Sequence, residues 1–165
     1  MNDLLNIPAI ETINDLTKVR VVLYMSGRLV HAPLTAIGQR GTWTPSIQFG
    51  GATTGITYST QSGTYVRISD VVIASGTLVF TNKGTATGAA TLAGLPFTVG
   101  TESAILSVGR YTNFTGLAAP ISGDATPGTT TIDLQDSSAT SSTNLVDTNF
   151  TNTTELQFSL AYLMN

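Results

Sequence analysis

The chain has 165 residues, of which 10% are charged, against roughly 25% in ordinary soluble domains, and its mean hydropathy is +0.20. A net charge of −3 with seven scattered basic residues excludes the clustered Lys/Arg footprint that nucleic acid requires. The absence of cysteine excludes disulfides, and no apolar run approaches the ~18 residues that cross a bilayer as a helix, so no membrane insertion is expected.

Solubility must come from hydroxyls, and the sequence holds 29 Thr and 14 Ser. Threonine's branched Cβ suits a pleated surface, so a Thr/Gly-rich, charge-poor chain reads as all-β. Low charge also suits a surface hidden in an oligomer, where charges are costly to bury. The length allows one domain, or one domain with a small appendage.

The predicted elements begin with an arm over residues 1–40. Met1 to Leu5 lack the basic and apolar regions of a signal peptide, so the chain is expected to be made in a host cytoplasm and not exported by that route. Asn6-Ile7-Pro8-Ala9-Ile10 reads as extended, because Pro8 restrains its neighbour, and Asn14 to Thr17 suit a capped turn. Lys18 to Met25 form a strand, Ser26-Gly27 a tight turn, and Arg28 to Ala32 a returning strand. Pro33 to Gly38 read as one helical turn ended by glycine. This hairpin has too few apolar residues for a core and needs a partner surface.

From Gly41 onward, strands follow at short intervals. Trp43 to Phe49 read as one strand, and Gly50 to Gly55 as a flexible turn or one with positive φ. Ile56–Thr60 and Thr64–Ser69 read as a hairpin across Gln61-Ser62-Gly63. Val71 to Thr81 form a long strand with Val72, Ala74, Gly76, Leu78 and Phe80 on one face, and Gly76 suggests a bulge or bend. Leu95 to Phe97 pack a corner, and Ala104 to Tyr111 form a strand. Ala118–Gly128 and Asp136–Asn144 read as loops around a short strand with Ile132 and Leu134 on one face. Glu155 to Met164 form an amphipathic strand with Leu156, Phe158, Leu160 and Tyr162 aligned. About seven to nine strands over residues 41–165 predict an antiparallel β-sandwich or jelly-roll-like domain behind an extended arm with a β-hairpin.

The residues give little chemistry. His31 is the only histidine, and a catalytic triad would need it beside a serine and an acid. Asp124, Asp133, Asp136 and Asp147 could offer oxygens to Ca²⁺ but lack a ligand spacing. Glu102, Asp133, Asp136 and Glu155 could supply a glycosidase pair, yet each sits in a polar, solvated context. Gly50, Gly51 and Gly55 precede a strand rather than a helix, so they make no phosphate cradle. The expectation is no enzyme, no metal and no cofactor. Three Asn-x-Thr triplets, at Asn113, Asn149 and Asn152, follow from the abundance of Thr. Flat rings stack on sugars as they pack on other apolar surfaces. Trp43, Tyr58, Tyr65 and Tyr111 are therefore candidates, with core or interface packing the commoner use of such rings, and Asn113-Phe114 suit a loop tip.

Gly41-Thr42-Trp43-Thr44-Pro45, then Gly50-Gly51, Gly55-Ile56-Thr57-Tyr58 and Gly63-Thr64-Tyr65-Val66-Arg67-Ile68, resemble a β-domain of tailed-bacteriophage virion proteins. Gly84 to Phe97 and the ending Asn149 to Tyr162 continue the pattern. The arm from Leu16 to Ile37 is similar to short virion-anchoring segments. The resemblance implies a trimeric head decoration, head fibre, tail fibre or tailspike part, and it carries no catalytic residues. Two functions follow. The first is a capsid decoration (cement) or head-fibre protein in the virion. It would be homotrimeric and docked on the major capsid protein or another virion protein through arm residues such as Ile7, Ile10, Val19, Val21, Leu23 and Leu29. The alternative is a tail-fibre-type adhesin that binds host cell-surface glycan through Tyr58, Tyr65 and Tyr111.

Overall fold

A computed structural model describes residues 20–33, 38–138 and 140–165. The chain divides into two compact units, Met1–Gln39 and Arg40–Asn165.

In the first unit, β1 (Arg20–Met25) and β2 (Arg28–Pro33) form an antiparallel hairpin with Met25 opposite Arg28. Ser26 and Gly27 both take positive φ, 51° and 77°. That is the primed turn whose twist matches right-twisted strands, at the dipeptide where the sequence predicts it. The turn read at Asn14–Thr17 lies outside the described residues, as do residues 34–37 of the helical turn read over Pro33–Gly38, whose end residues instead close β2 and open β3.

Ten strands follow: β3 (Gly38–Trp43), β4 (Ser46–Phe49), β5 (Ile56–Ile68), β6 (Val71–Lys83), β7 (Ala90–Ala93), β8 (Ala104–Phe114), β9 (Ile121–Ala125), β10 (Thr131–Ser137), β11 (Ser142–Asn144) and β12 (Phe150–Leu163). They make one sheet in the order β3-β5-β6-β12-β8-β9-β10-β7-β4, with β11 beside β10. The fold is all-β, an antiparallel sheet curled into a half-barrel of the sandwich or jelly-roll kind. β8 makes the bend. Its Ala104–Ser107 pair with β9, whereas Ser107 onward pair with β12. Gly109 is the extra residue where the β8–β12 register shifts, so a bulge accompanies the change of partner.

The core lies inside the curl, and alternation builds it. β6 turns in Val72, Ala74, Leu78 and Phe80, β10 turns in Ile132 and Leu134, and β12 turns in Leu156, Phe158, Leu160 and Tyr162, all buried. These faces agree with the sequence reading.

Several expected elements are corrected. Trp43–Phe49 is two strands, because Thr44-Pro45 interrupts it. Proline has no N–H for a ladder, and here the chain leaves β5 and joins β7. Gln61-Ser62-Gly63 is no turn, since β5 runs unbroken through it and the hairpin closes instead at Ser69-Asp70, with Ser69 at φ 53°. Gly63 faces Gly76 in register, and neither marks a bulge. A Cβ on Gly63 would strike the Trp43 indole, and one on Gly76 would strike the Phe158 ring. Both glycines make room for core aromatics. Ala118–Gly128 contains β9, whose Ile121, Gly123 and Ala125 point inward, and Asp136–Asn144 contains β11. Small or hydroxylic residues gave these strands no apolar signature.

Candidate functional site

The exposed face of the longest strands is the most organised surface of the β-domain. Directly opposite residues share a face, so the register lays out its outward rows. Ile68–Val71–Leu163 and Val66–Ile73–Ala161 form two apolar rows across β5, β6 and β12. Thr64–Ser75–Ser159 and Ser62–Thr77–Gln157 form two uncharged polar rows beside them. Above the Gly63–Gly76 pair, Ser62, Thr64, Ser75, Thr77 and Gln157 rim a shallow open depression. Thr64 and Ser75 hydroxyls lie 3.2 Å apart within hydrogen-bonding distance. Arg110, opposite Gln157 on β8, pairs with Glu155 at 3.1 Å and adds the charged border. This face can hold a polar, uncharged ligand by hydroxyl and amide hydrogen bonds, and an apolar one by burial.

The tyrosines named from sequence do not gather there. Tyr58 packs on Phe80 with ring centroids 4.9 Å apart, and its hydroxyl accepts the Ile47 N–H at 2.9 Å. Burial raises its pKa above the ordinary 10.0, opposed by that hydrogen bond. Tyr65 meets Phe97 edge-on at 5.3 Å. Tyr111, on β8, is the most exposed of the three and contacts Phe114. Trp43 is buried and donates from Nε1 to the Ser75 carbonyl at 3.1 Å. Phe114 is no loop tip, since it packs on Phe150 at 4.8 Å.

Other polar candidates serve the scaffold. Asp136 accepts the Ala118 N–H at 2.6 Å, and Asp147 accepts the Gly88 N–H at 2.9 Å while lying 3.8 Å from Lys83 Nζ. Asp124 and Asp133 sit opposite each other on β9 and β10, but among the described residues no three His, Cys, Asp or Glu converge. All three Asn-x-Thr asparagines are engaged: Asn113 donates to Thr153 O, Asn149 spans Val146 N and Thr115 O, and Asn152 accepts from Lys83 N.

In the hairpin, Val22, Tyr24 and Leu29 share one face, with Tyr24 opposite Leu29, and they are 64%, 73% and 74% exposed. Val21 and Leu23 hold the alternate positions, and Val21 is half-buried. Ile7, Ile10 and Val19 lie outside the described residues. Val22 and Tyr24 escaped the sequence reading because a strand apolar on both faces does not say which face is covered. The register from the Ser26-Gly27 turn would have paired Tyr24 with Leu29.

No protein-family model matches the sequence, and no curated protein does. The fold is nevertheless shared with a phage protein. The crystal structure of the Dettilon tailspike protein (gp208) superposes with a TM-score of 0.67 at 13% identity, covering 78% of this chain. This chain spans 24% of that one, so the likeness is to one part of a much longer protein.

Proposed function

We propose that the chain is a β-domain component of a bacteriophage virion, structural and receptor-binding in the manner of tail fibres and tailspikes. The observation that carries this is the tailspike likeness across most of the chain. The open, hydroxyl-lined face of β5, β6 and β12 suits it, because a shallow polar depression fits an exposed glycan better than a substrate that must be enclosed for chemistry. On this reading the protein is not an enzyme, assembles as a homotrimer and resides in the virion. Purified protein should bind intact cells of a susceptible bacterium, and surface polysaccharide from those cells should compete. Failure to bind any cell whose phage carries the protein overturns the receptor-binding part.

The capsid-decoration reading draws on the hairpin, whose exposed Val22, Tyr24 and Leu29 suit an anchoring surface. Immunogold labelling of phage particles separates the readings, with label at the tail expected and label over the head favouring decoration.

A further inference from the structure

We propose that the two apolar rows on the outer face of β5, β6 and β12 receive the β1–β2 hairpin of a second copy of the chain. The receiving face is Ile68, Val71, Ile73 and Leu163, all exposed, on three of the four longest strands. Two carboxylates border it: Asp70 in the β5–β6 turn, and Glu102, which lines a groove with Val71 and Leu163. The basic residues of 41–165 are committed elsewhere. Arg67 lies 5.2 Å over the Phe97 ring and donates to Ser69 O, while Lys83 and Arg110 pair with Asp147 and Glu155. This face therefore asks for an occupant with an apolar centre and a basic border.

Arg20–Pro33 has that character. It carries Arg20 and Arg28 and no carboxylate; Arg20 is on the same face as the exposed Val22, Tyr24 and Leu29, while Arg28, opposite Met25 beside the turn, is on the other face and adds to the hairpin's net positive charge. A two-stranded hairpin is marginal alone in water, and the hydrophobic core of the described residues draws nothing from it. Segment 41–165 holds seven acidic and three basic residues, so the two surfaces attract electrostatically as well as by burial. Hairpin-on-face is a head-to-tail contact, and such contacts close into rings when the rotation allows. The inference rests on the self-association within the proposed function but not on receptor binding, and it names the surfaces that make the association.

The chain has no cysteine, which makes cross-linking clean. Full-length Tyr24→Cys and Ile73→Cys proteins, both altered at exposed sites, are mixed and oxidised. A disulfide joining one of each is the expected result, together with concentration-dependent sedimentation of the unaltered chain to a mass above the monomer's. Asp70→Lys with Glu102→Lys should weaken association by about tenfold by removing the charge complementarity of the two surfaces, and Arg20→Glu with Arg28→Glu, which reverses the hairpin's net charge, should restore it. A monomer at all concentrations overturns both the inference and the self-association it rests on. An oligomer without the mixed disulfide, or one indifferent to the charge reversals, overturns only the hairpin contact and leaves the oligomer standing. A doubly substituted chain that cross-links only within itself overturns the exchange between copies.

Discussion

Single side chains hold the curl where the ladders do not. Tyr162 donates its hydroxyl hydrogen to the Phe97 carbonyl at 3.1 Å and accepts the Phe97 N–H at 3.2 Å, fastening the segment before β8 to the last strand. Tyr162→Phe removes both bonds and leaves two backbone groups short of partners, so it should cost about 1–3 kcal/mol in denaturant unfolding. Burial raises the pKa of Tyr162, and of Tyr58, above the ordinary 10.0. The folded protein then keeps these protons where the unfolded chain releases them. Their contribution is full below pH ~10 and falls as pH rises through the folded-state values. The melting temperature should drop in that alkaline window, and less steeply in a Tyr58→Phe, Tyr162→Phe double variant. At Gly63 and Gly76 the requirement is space rather than conformation, since neither has positive φ. Gly76→Ala should cost about 1–3 kcal/mol through overpacking against Phe158.

At the scale of elements, strands with at least one apolar face were legible, and strands built of small or hydroxylic residues were not. β12 announced itself because Leu156, Phe158, Leu160 and Tyr162 alternate with polar residues. β9 did not, because Ile121, Gly123 and Ala125 bury too little to stand out, and a Cβ at Gly123 would press on Ile132. Glycine misled most at Gly63, where turn chemistry and close ring packing write the same letter. The candidate face was invisible for a related reason. Its polar rows are ordinary Ser and Thr until the register assembles them. β12 also permits a two-sided test. Leu160→Ala, on the inner face, should cost about 2–5 kcal/mol. Leu163→Ala, on the outer face, should change the stability of dilute protein by no more than about 0.5 kcal/mol.

For the whole molecule, among the described residues every buried member of the hydrophobic core lies between Trp43 and Tyr162. The sequence divides the chain at Arg40/Gly41, and β3, which begins at Gly38, runs across that point. We propose that a fragment starting at Gly38 folds cooperatively by itself with nearly the stability of the full chain, as circular dichroism melts would report. Loss of folding in that fragment would place the arm inside the domain's own core.

The two edges of the great sheet, β3 and β4, are consecutive in sequence, parted only by Thr44-Pro45. Where β4 comes alongside β5, no ladder joins them. Tyr58 receives the Ile47 N–H, and Gln61 Nε2 donates to the Pro45 carbonyl at 2.9 Å. The domain is in mechanical terms a tube slit along its length and laced at two eyelets. A slit tube resists stretching along its wall but yields readily to torsion. Load on the domain would be taken up first as a twist that parts this seam, with the ladders of β6, β12 and β8 still intact.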